Sequence, residues 1–141
     1  MQTSHLVILK KPYLDAIIDG SKTVESRLLK GKVSPFGRVE PGDKLFFKQS
    51  SGTVRAVATA AAVKSFENLT PAKIAGIKSK YNKYILGSDE YWDSKSDSSF
   101  CVLVRIESVE EIKPVWIDKK DWRAWVVLTK EKNFGLLKSA I

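Results

Sequence analysis

The segment Gly20-Ser21-Lys22-Thr23-Val24-Glu25-Ser26-Arg27 combines two cations and a carboxylate at short spacing. In an extended chain, alternate side chains share a face, so Thr23, Glu25 and Arg27 are predicted to point the same way. Lys22 and Arg27 could hold a phosphate, because Arg offers a planar fork and Lys a point charge. Glu25 could orient one of these cations or accept a hydrogen bond from a base. The alternative is a solvent-exposed ion pair of little energetic value.

A second candidate is the turn Lys48-Gln49-Ser50-Ser51-Gly52. A lysine, an amide and two hydroxyls at a glycine turn can contact phosphates and base edges. We therefore expect Lys48, Ser50 and Ser51 to join Lys22, Glu25 and Arg27 in one cleft. The alternative is an ordinary hairpin turn, since these residue types are favoured there in any case.

Tryptophans interleaved with cations are a third feature, because unpaired bases stack on aromatic rings. Trp116, Trp122 and Trp125 lie beside Lys119, Lys120 and Arg123. The apolar neighbours of Trp116 and Trp125 favour core positions for both. Trp92, within the polar stretch Tyr91-Trp92-Asp93, is predicted to be the exposed stacking residue.

Several chemistries are excluded by residue counts. The chain has one histidine, His5, and one cysteine, Cys101, so a zinc site of the usual type and an intrachain disulfide are both excluded. A catalytic triad would depend on His5 alone. No phosphate-binding loop or dinucleotide fingerprint is present, and we predict neither metal nor cofactor. Cys101 lies in an apolar run and is predicted to be buried.

The 141 residues carry a net charge of +8. Residues 1–64 contribute +6 and residues 113–141 contribute +4, whereas residues 65–112 contribute −2. A fold that joins the two ends would present one basic face, which attracts polyanions. The alternative is that the charge serves solubility alone. No membrane span or signal peptide is evident, so we expect a cytoplasmic protein. The sequence leaves the oligomeric state open.

Six strands and two or three short helices are predicted to position these residues in one domain, 1–141, with a core over about 5–129. The strands are expected at 5–9, 23–29, 44–49, 53–66, 100–112 and 125–128. Pro12 and Thr70-Pro71 begin helices, and a further short helix is expected from Ser88 to about Lys95. Tight turns join the strands, which favours an α+β fold with a small curled sheet or barrel over a doubly wound sheet.

The pattern Gly20-x-Lys22-Thr23-x-Glu25-x-Arg27, the turn Pro41-Gly42-Asp43 and the late strand from Phe100 to Ile106 resemble the ASCH domain, a member of the PUA-like superfamily. The resemblance runs from His5 to about Leu128. It implies a small PUA-like β-barrel with flanking short helices, a cleft lined by Lys22, Glu25 and Arg27, and single-stranded RNA or a modified nucleotide as the ligand.

The same resemblance implies two possible activities, because some ASCH relatives are hydrolases. One type deacylates acetylated cytidine and has a threonine at the place of Glu25, so the presumed nucleophile of that type is missing here. Single-strand ribonuclease activity is also associated with the family, and nothing in the motif excludes it.

Three functional hypotheses follow. The first is a module that binds RNA or a nucleotide through the basic cleft, with cations on phosphate and Glu25 on a base edge or ordering Lys22. The second is a metal-independent hydrolase of single-stranded RNA or of a modified nucleoside, with Lys22 and Glu25 as acid and base. The third is a protein-interaction domain whose basic surface meets an acidic partner.

Overall fold

A computed structural model describes residues 2–119 and 122–137. It contains six strands, β1 (Ser4–Leu9), β2 (Val24–Leu29), β3 (Lys44–Gln49), β4 (Val54–Phe66), β5 (Phe100–Val115) and β6 (Trp125–Leu128). Three helices, α1 (Lys11–Asp19), α2 (Pro71–Ile85) and α3 (Asp89–Ser94), join them within the described ranges. The predicted α+β class is confirmed.

The strands form one mixed sheet in the order β2-β5-β4-β3-β1-β6. β1 and β3 run parallel, and the other neighbours are antiparallel. The register between β4 and β5 shifts at three places, and such irregularities bend a strand and increase its twist. The sheet consequently curls into a half-barrel, as the tight predicted turns had indicated.

Local sequence signals account for the helix boundaries. Gly20 ends α1 with a φ of 88°, a left-handed conformation that suits glycine. The Thr70 hydroxyl accepts a hydrogen bond from the Lys73 amide and begins α2. The Ser88 hydroxyl accepts a hydrogen bond from the Tyr91 amide and begins α3. The predicted helix starts at Thr70-Pro71 and near Ser88 are therefore confirmed, and the two hydroxyls act as N-caps.

α1 packs on the concave face of the sheet. Its buried side chains, Leu14 and Ile17, share one apolar cluster with Phe47 and with three of the five alanines of β4. The small side chains at Ala56, Ala58 and Ala60 leave room for the helix, which explains an alanine-rich strand that could be mistaken for a helix.

Two further clusters complete the core. One holds α2 and α3 against β2 and β5, and it includes the buried thiol of Cys101, whose pKa is raised to about 12 by burial. The other covers the opposite face of β1, β3 and β6. Cys101 is therefore the buried residue that its apolar context predicted.

Two sequence-based expectations need correction. β5 continues through Pro114 to Val115, where its partner is Val54. Trp116, predicted to be core, is 76% exposed just beyond that strand, and Trp122 is fully exposed. Lys120 and Asp121 lie outside the described residues.

No described helix has the length and apolarity to span a membrane.

Candidate functional site

A cavity of about 550 Å³ opens where β1 ends, beside the middle of β2. This volume lies in the usual range for a small-ligand site. α1 and the segment from the end of α2 through α3 supply the other walls. The side chains important for its chemistry are Tyr13, Lys22, Glu25, Ser26, Arg27 and Tyr91.

Glu25 is the centre of the site and is only 4% exposed. Its Oε2 accepts a hydrogen bond of 2.7 Å from the Arg27 guanidinium, and its Oε1 lies 3.3 Å from the Lys22 Nζ. The Ser26 amide also donates to Oε1, at 3.1 Å. Burial alone would raise the pKa of Glu25, but the charges and hydrogen bonds of Arg27 and Lys22 outweigh it and lower that pKa. Glu25 is therefore a carboxylate at neutral pH.

Lys22 lies beneath the cavity floor with 3% of its surface exposed. Its Nζ donates to the Val24 carbonyl at 3.0 Å and to the Ile85 carbonyl at 2.6 Å. Ile85 is the last residue of α2, so the ammonium compensates the negative end of that helix. With Glu25 as a third contact, all three donors of the ammonium are engaged. Lys22 therefore holds the elements of the site together and does not offer a free ammonium group to a ligand.

Arg27 joins the two edges of the curled sheet. Although it lies on the edge strand β2, its guanidinium donates to the Ile8 carbonyl at 3.0 Å and the Ala124 carbonyl at 3.4 Å, next to β6. The guanidinium also stands 5.3 Å from the ring centre of Trp125, a favourable cation–π contact. Its Nε is buried without a hydrogen-bond partner among the described residues.

Two tyrosines form aromatic walls. The Tyr13 and Tyr91 rings meet edge to face with centroids 6.4 Å apart, and the Lys22 ammonium lies 5.4 Å from the Tyr13 centroid. The Tyr91 hydroxyl is 2.8 Å from the Ser26 hydroxyl. Burial raises the pKa of Tyr91, so this phenol stays protonated and acts as a hydrogen-bonding group, not as a base.

The lining carries an excess of positive charge. Inside the cavity, the two positive charges of Lys22 and Arg27 exceed the negative charge of Glu25 by one. At the rim, the two positive charges of Lys10 and Lys95 exceed the negative charge of Glu90 by one. Because the cavity is walled by protein of low dielectric, this excess acts more strongly on an anion than it would in open water. The arrangement can attract an anionic group to the rim while the buried ions hold the cavity's shape.

The structure brings Lys22, Glu25 and Arg27 together, as their spacing predicted, but it leaves out the other predicted cleft residues. Lys48 pairs in register with Ile8, but it does not line the cavity, and its ammonium donates to the Gln49 carbonyl. Ser50 and Ser51 are exposed at the hairpin turn and do not line the cavity. The expectation that Lys48, Ser50 and Ser51 share the cleft is therefore wrong.

Trp92 is also misplaced by the sequence-based reasoning. It is 3% exposed, and its indole N–H donates to the Asn82 side-chain oxygen at 2.9 Å. Gly87 permits this packing, because a Cβ there would lie 2.8 Å from the indole nitrogen. Trp92 anchors α3 to α2 and cannot serve as an exposed stacking residue.

Sequence reasoning missed Lys10, Tyr13, Tyr91 and Lys95 as lining residues. Tyr91 adjoins Trp92 on α3, so the sequence indicated the helix that lines the cavity but not which of its two aromatic residues does so. Tyr13 gave no signal, since one aromatic residue in the first turn of a helix indicates only a partly buried position.

A buried polar chain behind Arg27 was also missed. Trp125 donates its indole N–H to His5 Nδ1 at 2.9 Å, and His5 Nε2 lies 2.8 Å from Asp43 Oδ2. Trp125 therefore packs its ring against the Arg27 guanidinium, and its indole N–H is held in place by the hydrogen bond to His5.

The comparisons with known proteins agree with this geometry. The ASCH domain family matches residues 7–134, nearly the whole chain. The chain belongs to the ASCH domain family. No protein of curated function matches this ASCH domain.

Its fold is also that of solved ASCH structures. The crystal structure of ASCH from Zymomonas mobilis has 15% sequence identity and a TM-score of 0.68 over 92% of this chain and 90% of that chain. A point mutant of that protein has 14% identity and a TM-score of 0.71, with 92% of each chain covered. At such low identity the likeness establishes the fold of this ASCH domain alone.

Proposed function

We propose that this ASCH domain binds RNA by enclosing one unpaired nucleotide in the cavity beside β2. The observation that carries the proposal is the guanidinium of Arg27, held in the cavity wall by Glu25 and Trp125, with its Nε unpartnered among the described residues. A guanidinium fixed in this way loses little rotamer freedom when it meets a phosphate or a base edge.

The aromatic walls and the rim divide the work of recognition. Tyr13 and Tyr91 supply ring surface for stacking, which tolerates any base. Lys10 and Lys95 stand at the rim, where they can meet backbone phosphates together with Arg27. Lys22 and Glu25 do not contact the ligand and instead hold Arg27 and the cavity wall in place, because their polar atoms are already paired with each other and with the backbone. Single-stranded RNA fits this division, since its bases are free to leave the strand.

The hydrolase alternative assigns proton transfer to Lys22 and Glu25. A catalytic acid or base works best with a pKa near the operating pH. The lowered pKa of Glu25 moves it away from that condition, and Arg27 and Lys22 occupy its oxygens. A binding role therefore accords better with the site than acid–base catalysis does.

Titration of a fluorescent oligouridylate at several salt concentrations tests the proposal. Three phosphate contacts at the cavity should contribute about −2 to the log-log slope on a single strand. The double variant Lys10→Gln, Lys95→Gln should reduce the slope by about 1.4. Lys30→Gln is a control at an exposed lysine that pairs with Asp97 away from the cavity. A flat salt response of the wild type would overturn the proposal.

The stacking role has its own variant. Tyr13→Leu should weaken binding by about 1–3 kcal/mol, the usual value of one stacked base, whereas Tyr13→Phe should retain most of the affinity. Equal affinities for the wild type and Tyr13→Leu would remove the stacking contribution. Gel analysis of the same mixtures separates the hydrolase alternative, because shortened RNA would reveal turnover.

A further inference from the structure

A second concave surface lies away from the cavity, between the end of β4 and α2. This β4–α2 groove encloses about 440 Å³, and its walls include Lys64, Phe66, Lys73, Gly76, Lys80 and Tyr81. Cations and aromatic rings alternate across it, a composition suited to a phosphate-bearing strand.

The three lysines of the groove have neutral partners. Lys64 Nζ donates to the Tyr81 hydroxyl at 3.2 Å, and Lys73 Nζ donates to the Asn68 carbonyl at 3.2 Å. Lys80 Nζ lies 5.3 Å from the Tyr81 ring centre. None of these lysines forms an ion pair with a carboxylate in the part of the chain that the structure describes. Their three positive charges exceed the one negative charge of the groove lining, that of Glu67.

Two neighbouring groups support this description of the charge. Glu67, an acidic residue in the groove wall, is 3.8 Å from Lys32 and is shared with a cation outside the groove. The pKa of the Tyr81 phenol is lowered, chiefly by the hydrogen bond from Lys64 and with a further contribution from Lys80. Three lysines against one shared carboxylate give the groove a positive local potential that an anion would relieve.

Gly76 gives the groove its depth. It lies inside the 15-residue helix α2, where glycine costs about 1 kcal/mol relative to alanine. A Cβ built at Gly76 meets nothing within 4 Å, so packing does not require glycine at this position. The missing side chain leaves the groove open at a cost to the helix.

The groove and the cavity share one helix. Ile77 lines the groove and Ile85 lines the cavity, which places them about 12 Å apart along α2 at the usual helical rise. A single strand of a few nucleotides is therefore long enough to span the axial distance between the two sites.

We propose that the β4–α2 groove is a second phosphate-binding subsite, which holds the backbone of the RNA strand whose nucleotide occupies the cavity. This inference rests on the proposed function, and the two sites contribute separately. The cavity binds one nucleotide, and the groove adds affinity only for a strand long enough to reach it.

Binding of uridine monophosphate and of an oligouridylate distinguishes the two sites. The double variant Lys64→Gln, Lys80→Gln should reduce the log-log salt slope for the oligonucleotide by about 1.4, the loss of two phosphate contacts, and should leave mononucleotide binding unchanged. The double variant Lys78→Gln, Lys83→Gln removes the same charge from α2 outside the groove and should change the slope less.

A second pair of variants changes no charge. Gly76→Leu fills the groove and should weaken oligonucleotide binding severalfold with no loss of helicity by circular dichroism. Ala75→Leu adds the same side chain to an exposed helix position outside the groove and should bind as the wild type does.

The possible results are distinct. Equal oligonucleotide binding by the groove variants and their controls would overturn the subsite and leave the cavity proposal intact. Weakened oligonucleotide binding by the groove variants alone, with no effect of Lys10→Gln, Lys95→Gln on either ligand, would show that the groove binds phosphate by itself, and would refute both the cavity and the groove's role as its second subsite. A wild-type protein that binds neither ligand would overturn both proposals.

Discussion

At the scale of single residues, Glu25 decides the character of the site. A buried carboxylate between Lys22 and Arg27 holds two cations in place, and each of them bonds backbone carbonyls of another element. Buried ion pairs of this kind add little to the net free energy of unfolding but fix the positions of their side chains. Removal of one member lowers the free energy of unfolding, because the other charge stays buried without a partner. The role of Glu25 is thus to position Lys22 and Arg27.

Glu25→Gln is predicted to lower the free energy of unfolding by about 3–5 kcal/mol, because Lys22 and Arg27 would remain buried without a counter-charge. Urea denaturation at neutral pH measures the change. Glu90→Gln is the matched control, since Glu90 lines the same cavity at an exposed position and its loss should cost under about 0.5 kcal/mol. Equal stability of Glu25→Gln and the wild type would contradict the positioning role.

The extended spacing of the motif predicted the meeting of Glu25 and Arg27, because period two follows from strand geometry alone. The burial of Lys22 was not predictable in the same way. Its main partner, the Ile85 carbonyl, is 63 positions away, and no local pattern indicates that α2 ends above β2. The lining tyrosines were missed for the same reason.

At the scale of elements, strands and helix starts were predicted well because each has a local cause. β3 and β6 have the predicted bounds, and Thr70 and Ser88 cap the predicted helices. α2 ends without a glycine at its C-cap, because Leu86 adopts the left-handed conformation, with a φ of 60°. Gly87 serves instead for the close approach of Trp92.

Leu86→Gly is predicted to have a free energy of unfolding about 0.5–1 kcal/mol higher than that of Leu86→Ala, because a Cβ in the left-handed region is unfavourable and glycine removes that cost. Leu86 is 40% exposed, so both variants lose the same partial burial of the side chain beyond Cβ, and the comparison between them cancels that loss. Thermal and urea unfolding provide the measurement. Equal stability of the two variants would refute the argument.

At the scale of the whole molecule, polar contacts tie together segments far apart in the chain. Arg27 links β2 to the edge formed by β1 and β6. Behind it, His5 lies on β1, Asp43 precedes β3, and Trp125 begins β6. The sequence indicated a curled sheet from its turns, but it did not indicate which side chains join the edges.

The hydrogen bonds determine the protonation state of His5. An indole N–H can only donate, so His5 Nδ1 must accept from Trp125, and the remaining ring N–H donates from Nε2 to Asp43. This arrangement requires a neutral imidazole. Burial lowers the pKa of His5 below the ordinary 6.5, although the hydrogen bond and charge of Asp43 partly offset the effect.

Stability is therefore predicted to fall as the pH drops below about 6.5, because the unfolded chain then takes up a proton that the folded protein excludes. The slope can reach about 1.4 kcal/mol per pH unit until the folded pKa is passed. His5 is the chain's one histidine, and Glu25 and Asp43 have lowered pKa values, so these two carboxylates titrate at more acidic pH. Urea midpoints at a series of pH values measure the effect. His5→Gln, which can still bridge Trp125 and Asp43, should remove the slope in this window, and a slope unchanged in that variant would assign the titration to another group.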